Sequence, residues 1–69
     1  MNIEDMYVIV VSKRRNEDCY VLMQVYDNLI AYIGKLLGDK SRGRSILEKE
    51  IDIVNELFIV LRLDQTKLE

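Results

Sequence analysis

Carboxylates are the side chains of this sequence best suited to chemistry. Four of them are candidates for acid–base work or metal binding: Asp27, Glu48, Asp52 and Glu56. The last three recur at every fourth position, which places them along one side of a helix. No Asp/Asn/Gly loop with the spacing of a calcium site accompanies them. A solvated stripe explains them better than a catalytic or metal site, and the sequence predicts no cofactor.

Cys19 is the remaining candidate nucleophile. It is the only cysteine, and the chain contains no histidine. Histidine is the commonest general base, and a nearby imidazolium is one of the usual activators of a thiol. Because Cys19 also falls at an apolar position of a periodic segment, we expect a packed thiol. The sequence therefore predicts that this protein is not an enzyme.

Positive charge is concentrated in two short runs. These are Lys13-Arg14-Arg15 and a loop that contains Lys40, Arg42 and Arg44. Either run is able to contact phosphates. Neither is interleaved with aromatic residues, and ten basic against twelve acidic residues give a net charge of −2. Lys40, Arg42 and Arg44 are therefore kept as the alternative, nucleic-acid site.

The first long segment, about 17–37, has the 3-4 spacing of an amphipathic helix. Its apolar positions are Cys19, Leu22, Tyr26, Leu29, Ile33 and Leu36. Asn16 is the predicted N-cap, and Gly38 is the predicted residue at which the helix ends.

A second segment, about 46–63, has the same periodicity, with apolar positions at Leu47, Ile51, Val54, Phe58 and Leu61. Ser45 and Glu48 have the spacing of a capping box at its start.

The N-terminal segment, about 3–14, is ambiguous. Ile3, Met6 and Val10 fit helical spacing, whereas the β-branched and aromatic run 7–11 favours a strand. Because a single strand would find a pairing partner only across a dimer, we favour a helix. The expected fold is all-α: one domain over 1–69, built as an antiparallel helical hairpin with a short N-terminal helix.

Both long helices have apolar faces wider than one neighbour can cover. The sequence therefore predicts a partner: a second copy that completes a helical bundle, another protein, or both. The predicted partner-binding residues lie on the flanks of the two faces: Tyr20, Met23, Ile30, Tyr32, Ile53 and Val60. Whether these flanks serve dimerisation or partner binding stays open at this point.

The apolar stretch 6–11 follows Glu4 and Asp5 and precedes Lys13, Arg14 and Arg15. This order of charges is the reverse of that in a signal peptide. No apolar run approaches the roughly 20 residues that span a bilayer. We therefore expect a cytoplasmic protein without a membrane partner.

The segment 21–30, Val-Leu-Met-Gln-Val-Tyr-Asp-Asn-Leu-Ile, resembles the Leu-rich segment ending in Leu-Tyr-Asp-Gly of the flagellar export chaperones of the FliS type. The segment 50–57, followed by Leu-Arg-Leu-Asp at 61–64, is similar to a second helix of that family. The resemblance implies a shortened relative that holds a segment of an export partner. The chain departs from the family in its length, its shorter loop and Asn28 in place of the glycine.

Two functions remain. The first is a chaperone or adaptor that holds an amphipathic segment of a protein partner, with flagellar or type III export as one setting. The second is a homodimeric hairpin regulator similar in architecture to the plasmid RNA-binding protein Rop, with basic loops on nucleic acid. A small helical mutase is suggested by Leu47-x-x-Glu50-Ile51-Asp52, but inward Arg and Lys residues for an anionic substrate are lacking.

Overall fold

The computed structural model describes residues 2–65, which form three α-helices. They are α1 (Ile3–Arg15), α2 (Tyr20–Ser41) and α3 (Glu48–Val60), followed by a 3-10 helix at Leu63–Gln65. None of the described residues is in a β-strand. The predicted all-α fold is confirmed, and the N-terminal segment is a helix rather than a strand.

Capping and charge explain why α1 forms despite its β-branched residues. The Asn2 side chain accepts a hydrogen bond of 2.8 Å from the backbone N–H of Asp5. Acidic residues occupy the first turn and three basic residues the last turn, as the helix dipole favours. The cap and the terminal charges stabilise α1 in addition to the burial of its apolar side chains, Ile3, Met6, Ile9 and Val10.

Helix α2 begins three residues later than the sequence predicts, because the turn after α1 is longer. Asn16 ends α1, and its backbone N–H donates to the carbonyl of Lys13 at 3.2 Å. The Glu17 carboxylate then accepts from the backbone N–H of Cys19 at 3.1 Å. Cys19 is the N-cap of α2, so the helix starts at Tyr20.

At its other end, α2 continues through Gly38 to Ser41. The backbone N–H of Arg42 and the Ser41 hydroxyl both donate to the carbonyl of Gly38, at 3.2 and 3.0 Å. The chain leaves the helix at Gly43, whose φ of +86° is favourable only for glycine.

The start of α3 also differs from the prediction. Ser45 does not cap the helix; the Glu50 carboxylate accepts from the backbone N–H of Leu47 at 3.1 Å instead. Leu47 is the N-cap, and α3 spans Glu48–Val60 rather than 46–63. After Leu61, Arg62 adopts a left-handed φ of 60°, which turns the chain so that Leu63 is buried.

Helices α1 and α2 make the closest backbone approach. They run antiparallel, because Glu4 in the first turn of α1 contacts Lys40 and Arg14 in its last turn contacts Asp27. Between these ion pairs lies Gly34, where a built Cβ would be 3.7 Å from the ring of Tyr7. A methyl group at this position would make an ordinary contact with Tyr7, so the close packing of the two helices does not require glycine here.

Helix α3 runs antiparallel to α2 but stays farther from both other helices. It buries only Val54 and Phe58, which pack with core residues of α1 and α2. Leu47 and Ile51, predicted core positions, are 53% and 36% exposed. Because α3 begins only at Glu48, its first turn leaves an open groove toward α1 instead of packing there.

Among residues 2–65, no helix is both long enough and apolar enough to cross a bilayer.

Candidate binding surface

The carboxylates considered for chemistry do not converge. Asp27 Oδ1 accepts from Arg14 Nε at 2.9 Å, far from the stripe on α3. Glu48, Asp52 and Glu56 all lie exposed along α3. Within residues 2–65 no three His, Cys, Asp or Glu side chains are grouped as metal ligands would be.

Cys19 is exposed, and the prediction of a packed thiol is wrong. The reason is the position of the helix start. Because Cys19 is the N-cap of α2 rather than a residue inside the helix, its side chain lies at the turn and not on the buried face.

The three basic residues of the predicted nucleic-acid site each lie near a carboxylate. Lys40 Nζ is 2.7 Å from Oε1 of Glu4, and Arg42 and Arg44 are 3.5 and 3.8 Å from Oδ1 of Asp39. These carboxylates lower the local positive potential that a phosphate would meet. The surrounding groove, of about 520 Å³, is lined by aliphatic, polar and charged side chains and contains no aromatic residue for base stacking.

The α2–α3 face is the first of two uncovered apolar surfaces. It consists of Val21, Val25 and Tyr32 on α2 and Ile53, Leu57 and Val60 on α3. Along its middle runs a groove of about 200 Å³, lined by residues of both helices: Val25, Asn28, Leu29, Tyr32, Leu57 and Leu61. Val21 and Val60 are each 72% exposed at its edges.

The α1–α3 face lies on the other side of α3. Its exposed residues are Ile51, Asn55 and Ile59, spaced four residues apart on α3, and Asp64, while Met6 of α1 is buried at its base. A depression of about 410 Å³ is lined by Met6, Asn55, Phe58, Ile59 and Asp64. Ile59 is 58% exposed at this surface.

The six predicted partner-binding residues do not form one surface. Tyr32, Ile53 and Val60 share the α2–α3 face. Tyr20 is 86% exposed at the first position of α2, on the opposite side of that helix from Leu29.

Met23 and Ile30 lie on the α1-facing side of α2, because helical spacing aligns them with Asp27 and Gly34, which contact α1. Both side chains are half-buried there. Neither side chain is exposed to a partner as the sequence predicts.

Several residues of the two faces were not among the predicted site residues. Val25 and Leu57 complete the α2–α3 face, and their signal was available: Leu57 follows Ile53 by four positions, and Val25 precedes Tyr32 by seven. Ile51 was assigned to the core, and Ile59 belonged to no predicted stripe. Periodicity places Ile51 and Ile59 on neighbouring parts of α3, but it gives no sign that the first turn of the helix is uncovered.

In comparisons with protein families, curated proteins and solved structures, nothing matches this chain. The likeness to flagellar export chaperones therefore rests only on the residues that suggested it.

Proposed function

We propose that this chain is a non-enzymatic helical binding protein, a chaperone or adaptor, that works as a homodimer and holds an amphipathic segment of a protein partner. One observation carries the proposal. Helix α3 buries two side chains and leaves five apolar ones exposed: Ile51, Ile53, Leu57, Ile59 and Val60. Contiguous apolar surface of this kind is typical of protein interaction sites.

The exposed side chains of α3 fall on two sides of the helix. Ile53, Leu57 and Val60 belong to the α2–α3 face, and Ile51 and Ile59 to the α1–α3 face. A second copy and a partner segment therefore do not need to compete for one surface. In the proposal, each of them covers one face.

The α1–α3 face suits the partner segment because apolar side chains and an acidic side chain line the same depression. Met6, Phe58 and Ile59 line the depression together with Asn55 and Asp64. Asp52 lies three residues before Asn55 and seven before Ile59, so it is on the same side of α3. We therefore propose a helical segment with lysine or arginine beside its apolar stripe, bound by helix-in-groove packing.

Other parts of the proposal rest on the sequence. The absence of histidine supports a non-enzymatic role. The order of charges around residues 6–11 supports a cytoplasmic location. Flagellar or type III export is the setting that the resemblance to the FliS type favours, with the partner segment in the place of an export substrate.

Binding of two synthetic amphipathic helices, measured by fluorescence anisotropy, tests the proposal. The two peptides share one apolar stripe, and one has lysines at its polar edges while the other has glutamates. We expect the lysine peptide to bind at least about tenfold more tightly than the glutamate peptide. Equal affinities, or no binding of either peptide, would contradict the proposed segment.

Ile59→Asn and Val8→Asn are the matched variants for this experiment. Ile59 and Val8 are 58% and 55% exposed, but Val8 lies on α1 away from the depression. Ile59→Asn should weaken binding about tenfold, and Val8→Asn should leave it unchanged. An RNA hairpin serves as a third probe: tight, steeply salt-dependent RNA binding would replace this proposal with the nucleic-acid function.

A further inference from the structure

We propose that a second copy of this chain covers the α2–α3 face in a two-fold symmetric dimer, in which Lys35 of each copy pairs with Glu56 of the other. The inference rests on the homodimer of the proposed function and assigns its interface. It follows from the shape of the face and from the charges on its two edges.

The shape of the α2–α3 face is self-complementary. Exposed Ile53 and Val60 form a ridge along α3, with Leu57 between them. The groove beside this ridge, lined by Val25, Tyr32 and Leu57, is open. In a two-fold dimer each copy supplies one ridge and one groove, so the ridge of each copy packs into the groove of the other.

The two edges of the face carry opposite charges near its middle. On α2, Lys35 follows Tyr32 by three residues, and Asp39 lies one turn farther toward the loop. On α3, Glu56 follows Ile53 by three residues, and Lys49 lies toward the same loop, because α3 runs antiparallel to α2. Asp39 already lies 3.5 and 3.8 Å from Arg42 and Arg44, so the opposite charges that the two edges offer to a second copy are Lys35 on α2 and Glu56 on α3.

These charges are largely free to pair across an interface. Lys35, Lys49 and Glu56 are all exposed. Among residues 2–65, none of the three lies within 4.0 Å of an opposite charge. When the α2 edge of one copy lies against the α3 edge of the other, Lys35 of each copy meets Glu56 of the other. Placing the α2 edges of the two copies together would instead bring Lys35 beside Lys35, which is repulsive.

Sedimentation of two charge-reversed variants tests this interface. Lys35→Glu places two acidic residues together across the interface, and Glu56→Lys places two basic residues together. Each variant alone should dimerise at least about tenfold more weakly than the wild type. An equal mixture should restore a heterodimer, because each of its two cross-contacts then joins one Lys and one Glu.

The mixture separates contacts between copies from contacts within a copy, since mixing leaves intramolecular neighbours unchanged. Glu48→Lys is the matched control: the same charge change on the same helix, away from the α2–α3 face, should leave dimerisation unchanged. Leu57→Glu removes the apolar contact and should give a folded monomer by circular dichroism and sizing.

Three results are distinguishable. Recovery of the dimer in the mixture supports the interface. A wild-type dimer whose charge-reversed variants show no weakening, or no recovery on mixing, overturns this inference but leaves the homodimer of the proposed function. A wild-type monomer at high micromolar concentration overturns both the interface and the homodimer. Binding of the lysine peptide is measured in a separate experiment, so it still tests the proposed partner segment.

Discussion

Lys40 Nζ donates a hydrogen bond of 2.7 Å to Oε1 of Glu4, so one ion pair joins the last turn of α2 to the first turn of α1. The two residues are 36 positions apart in sequence. Both side chains are about half exposed, at 55% and 49%, and solvent screens their attraction. The pair therefore contributes more to the antiparallel register of α1 and α2 than to overall stability.

The Glu4–Lys40 pair predicts a specific acid dependence of stability. The hydrogen bond from Lys40 holds the pKa of Glu4 below its ordinary value of 4.5. Because the folded-state pKa is the lower one, the contribution of Glu4 is complete above about pH 4.5 and is lost as the pH falls through the lowered value. Urea unfolding from neutral to acid pH should therefore show a smaller loss of stability in Glu4→Gln than in the wild type.

Asp52→Asn is the control for this series, because Asp52 has no basic side chain within 4.0 Å among residues 2–65. The unfolding free energy of Asp52→Asn should fall with decreasing pH as steeply as that of the wild type. A Glu4→Gln profile that stays parallel to the wild type at every pH would show that the pair does not form in solution.

The spacing of apolar residues predicted the core of α2 well but not that of α3. Tyr26, Leu29, Ile33 and Leu36 recur every three to four residues, and all four are buried. Leu47 and Ile51 continue the same pattern as Val54 and Phe58, yet they are exposed. Periodicity identifies which side of a helix is apolar, but not how far along its length a neighbour is in contact.

The same limit applies to the binding surface. The sequence identified apolar flanks on both long helices, but it could not indicate which flank α1 covers. In the structure α1 covers the flank of Met23 and Ile30, which is the side of α2 on which Asp27 pairs with Arg14. The opposite flank, with Tyr32, stays open beside α3.

The glycines at the end of α2 should respond in opposite directions to alanine. Gly38 is inside the helix, and a Cβ there would make an ordinary contact of 3.6 Å with the Arg42 guanidinium. Gly38→Ala should therefore stabilise the protein by about 0.5–1 kcal/mol. Gly43 has a φ of +86° with nothing within 4 Å of a built Cβ, so Gly43→Ala should cost about 1–2 kcal/mol through the backbone alone.

Chemical denaturation of the two glycine variants gives this comparison directly. If α2 ended at Gly38, as the sequence predicts, Gly38→Ala would be the destabilising change. A loss of stability in Gly38→Ala with no effect of Gly43→Ala would therefore contradict the observed end of the helix.

Substitutions of leucine test where the core ends. Leu29 is 3% exposed in the centre of the core, and Leu29→Ala should cost about 2–5 kcal/mol. Leu47 is 53% exposed although it fits the same apolar periodicity, and Leu47→Ala should change stability by no more than about 0.5 kcal/mol. Similar losses for both variants, measured by thermal unfolding, would mean that α3 packs along its whole length.

Tyr26 makes the stability sensitive to alkaline pH. Its side chain is buried, at 6% exposure, and this burial raises the pKa of its phenol above the ordinary value of 10.0, with a smaller effect from the negative charge of Glu17. In the unfolded chain the phenol loses its proton from about pH 10, whereas the folded state resists the loss. The contribution of Tyr26 to stability is therefore complete below about pH 10, and it is lost as the pH rises through the raised pKa.

Tyr26→Phe removes this ionisation and keeps the ring in the core. Its unfolding free energy should fall less steeply than that of the wild type above about pH 10, while the two proteins stay close near neutral pH. Tyr20→Phe is the matched control, because Tyr20 is 86% exposed, and its profile should follow the wild type. If Tyr26→Phe and Tyr20→Phe lose stability equally with rising pH, then Tyr26 is not buried in solution and the packing of α2 against α1 and α3 is wrong.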